Sequence, residues 1–261
     1  MNPWDTYQAR NALHGDNGRD RAKFALMSRL NRQIPSTLSY HNVDIDGEER
    51  NIVIINSDNL NQKTLCSLPG EDIRHGALVE WQNHRWLVTE RDANTEIYTK
   101  CIMRQCNYLL KWINSAGEII ERWSIVEDGT KYLTGEYSDA FFVATRGDAR
   151  ISVTLPKDEE TLALGRDARF IIDDYNAKQP LAYRLTKPFK LGGSYDENGV
   201  VIFVMTECNS EFDDNEELHI ADYYKYFPRE ESGVDNTSED HVANNSTQTQ
   251  TDTSTDRRGW I

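Results

Sequence analysis

Apolar and polar residues alternate with a period of two along most of residues 35 to 228, and the alternation is sharpest from Gly76 to Arg91. That stretch, Gly-Ala-Leu-Val-Glu-Trp-Gln-Asn-His-Arg-Trp-Leu-Val-Thr-Glu-Arg, predicts a β-hairpin. With Asn83-His84 as its two-residue turn, Trp81 lies opposite Trp86 and Val79 opposite Val88 on one face. The apolar set forms the inner face of a β-domain on this reading. Glu80, Arg85 and Arg91 then point outward, where neighbours can reach them.

The same period predicts further strands at Thr37 to Asp44, Arg50 to Asn56, Ile97 to Cys106, Tyr108 to Ile113 and Ile119 to Val126. Turn chemistry at Asp46-Gly47, Pro69-Gly70, Asn94 and Ala116-Gly117 separates them. Strands so close together, with no helix between, pair antiparallel in a small barrel or sandwich. A second block follows, with strands at Phe141 to Arg146, Arg150 to Leu155, Ala168 to Asp173, Ala182 to Thr186 and Val200 to Met205. The strand at Lys131 to Tyr137 fits either block.

Ahead of the strands the period is helical. Phe24, Met27 and Leu30 recur at three-residue steps, and Asp16-Asn17-Gly18 separates them from an earlier short helix containing Trp4, Tyr7 and Leu13. These amphipathic helices are expected to pack on the following domain, with docking on a partner as the alternative use. After Phe227-Pro228 the chain turns to Ser, Thr, Asn, Gln and Asp, and burial there cannot offset the entropy of ordering. The fold class expected is therefore mainly β: two antiparallel β-barrel or β-sandwich domains, a short N-terminal helical arm and a disordered C-terminal tail. The expected boundaries are 1–34 for the arm, 35–128 for a barrel-like domain, 129–228 for a sandwich or Ig-like domain and 229–261 for the tail.

With 28% charged residues and a net charge of -14, the chain does not suit binding in a DNA groove, because its carboxylates repel phosphate on average. It has no apolar run of membrane-spanning length and no basic-then-apolar opening, so a cytoplasmic site of synthesis and no membrane association are expected. Cys66, Cys101, Cys106 and Cys208 form no Cys-x-x-Cys pair and are expected as reduced thiols.

The search for chemistry gives expectations of absence. Asp44-Ile-Asp46-Gly47-Glu48 resembles the start of a calcium loop but lacks the later ligands, and reads as a hairpin turn. His14, His41, His75, His84, His219 and His241 show no His-Glu-x-x-His pattern, no nucleophile elbow or phosphate loop occurs, and Leu191-Gly192-Gly193-Ser194 opens no helix. No catalytic residue, cofactor or metal is expected. The sequons at Asn236 and Asn245 carry little weight without a secretory signal. The acidic run from Glu211 to Glu217, which includes Asp213 and Asp214, reads as a solvated loop or a contact to a basic partner. Trp4 and Tyr7 in the arm, and Trp260 and Ile261 beside Arg257-Arg258 in the tail, are candidate anchors on other chains.

Two stretches carry a family resemblance. Gly70 to Glu90 resembles the barrel hairpin of tailed-phage head-closure and neck proteins. Ala182 to Lys187 with Gly199 to Tyr224 is similar to the closing segment of virion structural proteins from phages of Gram-positive bacteria. The likeness covers residues 40 to 228. It implies a non-enzymatic virion subunit, assembled in the host cytoplasm, that forms a homo-oligomeric ring between portal or adaptor and tail proteins. DNA would pass through its channel without sequence-specific binding. Two other classes remain: a tail, baseplate or capsid-surface module that stacks sugars on Trp81, Trp86, Trp112 or Trp123, and a cell-wall hydrolase with carboxylates facing across a cleft.

Overall fold

The computed structural model describes residues 2–12, 15, 17–92, 96–128, 150–190 and 197–229. The arm consists of helix α1 (Pro3–Ala12) and helix α2 (Gly18–Gln33), followed by a 3-10 turn at Ile34–Ser36. Asn17 caps α2 by accepting a 2.8 Å hydrogen bond from the Asp20 N–H, which is why the chain restarts a helix there. No residue of α2 is buried; Met27 and Leu30 are half-buried, and Phe24 stays exposed.

Six strands close a barrel: β1 (Tyr40–Ile45), β2 (Glu48–Asn56), β3 (Gln62–Ser67), β4 (Leu78–Trp81), β5 (His84–Arg91) and β6 (Lys100–Gln105). Their order is β1-β2-β3-β6-β5-β4, and β4 returns to β1 through the pairs Asp44↔Glu80 and Ile45↔Val79. Ile52, Leu65, Val79, Trp86, Val88 and Met103 fill it. The Asp46-Gly47 turn has φ of 53° and 86°, and the Asp44 carboxylate accepts a 2.7 Å bond from the Gly47 N–H, so the segment with a calcium-loop flavour is a hairpin turn.

The second sheet comprises β7 (Tyr108–Ile113), β8 (Ile119–Asp128), β9 (Arg150–Pro156), β10 (Arg169–Ile171), β11 (Ala182–Phe189) and β12 (Val200–Cys208). It runs in the order β10-β11-β12-β9-β8-β7. Helix α3 (Glu159–Ala163) follows β9 and helix α4 (Tyr223–Tyr226) closes the described chain. The fold class is the expected one, mainly β with two six-stranded, barrel-like sheets. The division between them is not where the sequence placed it: β7 and β8, assigned to a first domain ending at residue 128, pair with the second sheet, and the sheets part at Cys106-Asn107. The strands expected at Lys131 to Tyr137 and Phe141 to Arg146 lie outside the described residues, as does the tail from residue 230 on.

The Gly76–Arg91 hairpin forms with a different turn. Gln82 and Asn83, at φ of 51° and 63°, are the central residues, so Trp81 faces His84 and Val79 faces Trp86. A tight turn of this hand needs positive φ at both centres, and Asn83 tolerates it in the second position. The slip is of two residues, so every side chain keeps its face and only partners change. Trp81 and Trp86 still touch diagonally, with ring centroids 5.9 Å apart.

The hairpin's outer face is not all solvent. Leu87 is fully buried there in a seam with Cys106, Ile125 and Val200, flanked by Leu78 and Trp123. This seam joins the barrel to the second sheet. Burying a leucine in this way contributes about 2 kcal/mol. The connector is hydrogen-bonded throughout: the Cys106 N–H donates to the Arg85 carbonyl at 2.8 Å and the Asn107 N–H to that of Ser124 at 3.1 Å. The Asn107 amide bonds both the N–H and the carbonyl of Val126 at 2.8 Å, in the manner of a ladder residue. Gly76 sits so close that a Cβ added to it would lie 1.9 Å from the Gly199 carbonyl oxygen.

Candidate interaction surface

The hairpin's charged groups are engaged by their own neighbours. Glu80 and Arg85 face each other across β4 and β5 and form an ion pair. Arg91 reaches Asp72 at 2.8 Å, and Asp72 also accepts from the Thr99 hydroxyl. Glu80 and Arg91 are exposed and Arg85 is half-buried, all three as members of ion pairs. Trp4 and Tyr7 stack on each other on α1 with centroids 5.5 Å apart, and both rings remain more than half exposed.

Asp213 and Asp214 part company. Asp214 is buried and clamps Arg169, whose guanidinium donates to its two carboxylate oxygens at 2.9 and 2.7 Å. Asp222 accepts a further bond at 2.9 Å, and the Asn209 carbonyl one at 3.1 Å. Burial alone would push the Asp214 carboxyl up, but the bonds from Arg169 and from the N–H groups of Glu211 and Asp222 outweigh it and hold its pKa below the ordinary value. Asp214 is thus a tie within the loop and offers nothing to a partner. Asp213 is half-buried, while Glu216 and Glu217 are exposed. Trp260 and Ile261 lie outside the described residues, as do His14 and His241.

Sequence reasoning passed over a cluster next to that loop. The Tyr108 hydroxyl donates to the Ile171 carbonyl at 3.1 Å, which leaves its oxygen to accept from Nδ1 of His219 at 3.0 Å. Tyr175 stacks on Tyr108, and its ring lies 4.9 Å from that of His219. Burial pushes the His219 imidazole below its usual pKa, against the pull of Asp173. Nothing in the spacing of residues 108, 175 and 219 signals this, because three separate connections bring them together.

Between the two sheets runs a cleft of about 280 Å³ lined by Asp46, Arg74, Arg122, Trp123, Lys157 and Asp158. Asp46 holds Arg74 at 3.0 Å and Asp158 holds Arg122 at 2.7 Å. Both aspartates are spent on guanidinium groups, which does not resemble a pair of carboxylates poised around a scissile bond. The cysteines are free thiols; burial pushes Cys101 and Cys106 up to about 12, so neither is an activated nucleophile. Among the described residues no group of three or more His, Cys, Asp or Glu side chains is placed to hold a metal ion, and no described helix is long and apolar enough to cross a membrane.

The other surface that the sequence reading missed lies on α2. Its helix carries Arg19, Arg21, Lys23, Arg29 and Arg32 against the single carboxylate of Asp20, on a chain of net charge -14. Arg19 pairs with Glu96 across to the barrel, whereas Arg21, Arg29 and Arg32 are exposed and form no ion pair among the described residues. A helical plot of charge, rather than of hydrophobicity, is the signal that finds them.

Residues 16–105 match the model of the YomX N-terminal domain, a phage-associated family. The match takes in α2 and the whole barrel and stops at the last residue of β6, where the sheets part. It covers about a third of the chain and points to a phage-related protein. No curated protein and no solved structure matches the chain.

Proposed function

We propose that this chain is a non-enzymatic structural subunit of a tailed-phage particle, of the head-closure or neck type, which joins portal or adaptor to tail as a ring. The observation that carries the reading is the contrast between a body with its tryptophans packed inward and an arm in which no described residue is fully buried. Trp86 and Trp112 are buried, Trp81 packs on the barrel core and Trp123 on the seam. A module that stacks sugars on those rings needs them exposed. Helices α1 and α2 instead present Trp4, Tyr7, Phe24 and Leu26 at the surface, the composition of an assembly arm. The phage-associated match over residues 16–105 supports the same class.

On this reading the protein resides in the virion and is assembled in the host cytoplasm, with other virion proteins as partners. The test is genetic and structural together. A phage lacking the gene is expected to accumulate filled heads without tails that lose their DNA, and cryo-electron microscopy of intact particles is expected to place the chain at the neck. Complete particles that merely fail to adsorb would move the chain to the tail tip and overturn the neck assignment.

A further inference from the structure

We infer that the outer stripe of α2 is a docking surface for the acidic Glu211–Glu217 loop of a second copy of this chain. The inference rests on the ring-forming reading above and assigns the contact that would build the ring. Arg21, Arg29 and Arg32 fall on one side of the helix, since intervals of eight and three residues at 3.6 per turn keep them within an arc of about 80°. Met27 and Leu30 lie on the other side, half-buried. Phe24 and Leu26 flank the stripe and are exposed. The helix therefore presents a basic strip with apolar margins.

The complementary feature lies on the second sheet. Glu216 and Glu217 are exposed and form no ion pair among the described residues, and the same loop presents Phe212 and Leu218 at the surface, Phe212 at 78% exposure. The loop is preformed: Asp214 accepts from the Glu211 N–H at 2.7 Å and the Asp222 N–H at 2.9 Å while it clamps Arg169. Docking such a loop costs little ordering entropy. Acidic and apolar groups on the loop answer basic and apolar groups on the helix.

A nucleic-acid backbone fits less well. It would use the arginines and leave the apolar margins idle, and it would run on past three cations over a strongly acidic body. A folded loop meets the helix locally, and repulsion between the two bodies is screened beyond about 8 Å at physiological salt. The two patches differ, so the contact is head-to-tail. Such contacts close into rings when the rotation permits.

A charge swap on the full-length chain tests this by sedimentation velocity at low and high salt. The wild type is expected to self-associate with rising concentration at low salt and to dissociate as salt is added. Arg29→Glu with Arg32→Glu, and separately Glu216→Lys with Glu217→Lys, are each expected to weaken association by roughly tenfold or more. Mixing the two variants restores opposite charge at every contact and is expected to recover oligomers that contain both. Neither variant touches a buried group, and circular dichroism checks that both fold. A wild type that stays monomeric at every concentration, or a mixture that fails to recover, overturns the inference. So does a wild type that shifts duplex DNA while the arginine variant does not. The outcome is separable from the neck reading: recovery in the mixture alongside particles that lack the chain sinks the neck and keeps the contact, and the reverse sinks only the contact.

Discussion

In the barrel the two edges of the sheet meet as a ladder, with Asp44 and Ile45 of β1 beside Glu80 and Val79 of β4. In the second sheet the edge strands β7 and β10 approach without a ladder and are joined by side chains. The Tyr108 hydroxyl bonds the Ile171 carbonyl, and Trp112 packs edge-on against Phe170 with centroids 6.3 Å apart. Beside them the loop after β12 is held by one buried guanidinium. The barrel closes through backbone that any sequence can supply, whereas the second sheet closes through particular side chains. Point substitutions should therefore separate the two.

The largest effect is expected at Arg169. Changing Arg169→Met leaves the Asp214 carboxylate buried without its cation, a loss of about 3–5 kcal/mol in urea denaturation. Acid should act on the same tie. The folded pKa of Asp214 is depressed, so its contribution is complete above the unfolded value of about 3.9 and fades as pH falls below it. His219, also depressed, adds an earlier and shallower decline that begins as pH drops through about 6.5, because the unfolded imidazole takes up a proton first. A flat stability profile from pH 7 to 3 would dismiss both.

Next comes the seam. Leu87→Ala is expected to cost about 2–4 kcal/mol and to split a single calorimetric transition into two, as the sheets lose their shared core. One sharp transition at lower temperature would mean that the connector alone couples them. Tyr108→Phe keeps the ring and removes the closing hydroxyl, for about 1–3 kcal/mol. Amide exchange should quicken around Ile171 and His219 and stay unchanged in β1 and β4; equal change in both sheets would erase the distinction drawn between them. The smallest effect is a gain. Gln82→Gly relieves a left-handed backbone at the hairpin turn and should stabilise by about 0.5 kcal/mol, read as a raised urea midpoint.

Most strands were legible because their faces differ in polarity. Tyr108 to Ile113 is an apolar run broken only by Lys111 and bounded by Asn107 and Asn114, and the sequence predicts its bounds as they stand. Strand β3 was not seen: in Gln62 to Ser67 only Leu65 is a large apolar residue, and its inward partner is Ser67. Helix α3 escaped as a single turn, although Asp158 and Thr161 form a reciprocal capping box that marks it. The sheet boundary was misplaced because β6 passes to β7 through two residues, both engaged in hydrogen bonds, so no change in composition announces it. Leu87 shares the face of Arg85 and Arg91 by alternation, and alternation reports two faces but cannot say that the second face meets another sheet. Two of the candidate contacts show what a sequence leaves out. Trp4 and Tyr7 stand exposed although amphipathic helices are expected to pack on the domain that follows, and the burial of Asp214 depends on Arg169, 45 residues upstream in the chain.

The two-residue passage at Cys106-Asn107 also constrains ancestry and engineering. The YomX-like portion ends where that passage begins, so the barrel is a natural unit to find with another companion or with none. Cut there, it would bare Leu78 and Leu87 on its outer wall and adhere to whatever apolar surface it met. A free-standing relative of this barrel should therefore carry polar residues at those two positions. A relative that keeps both leucines announces, from its barrel sequence alone, that something else is built upon it.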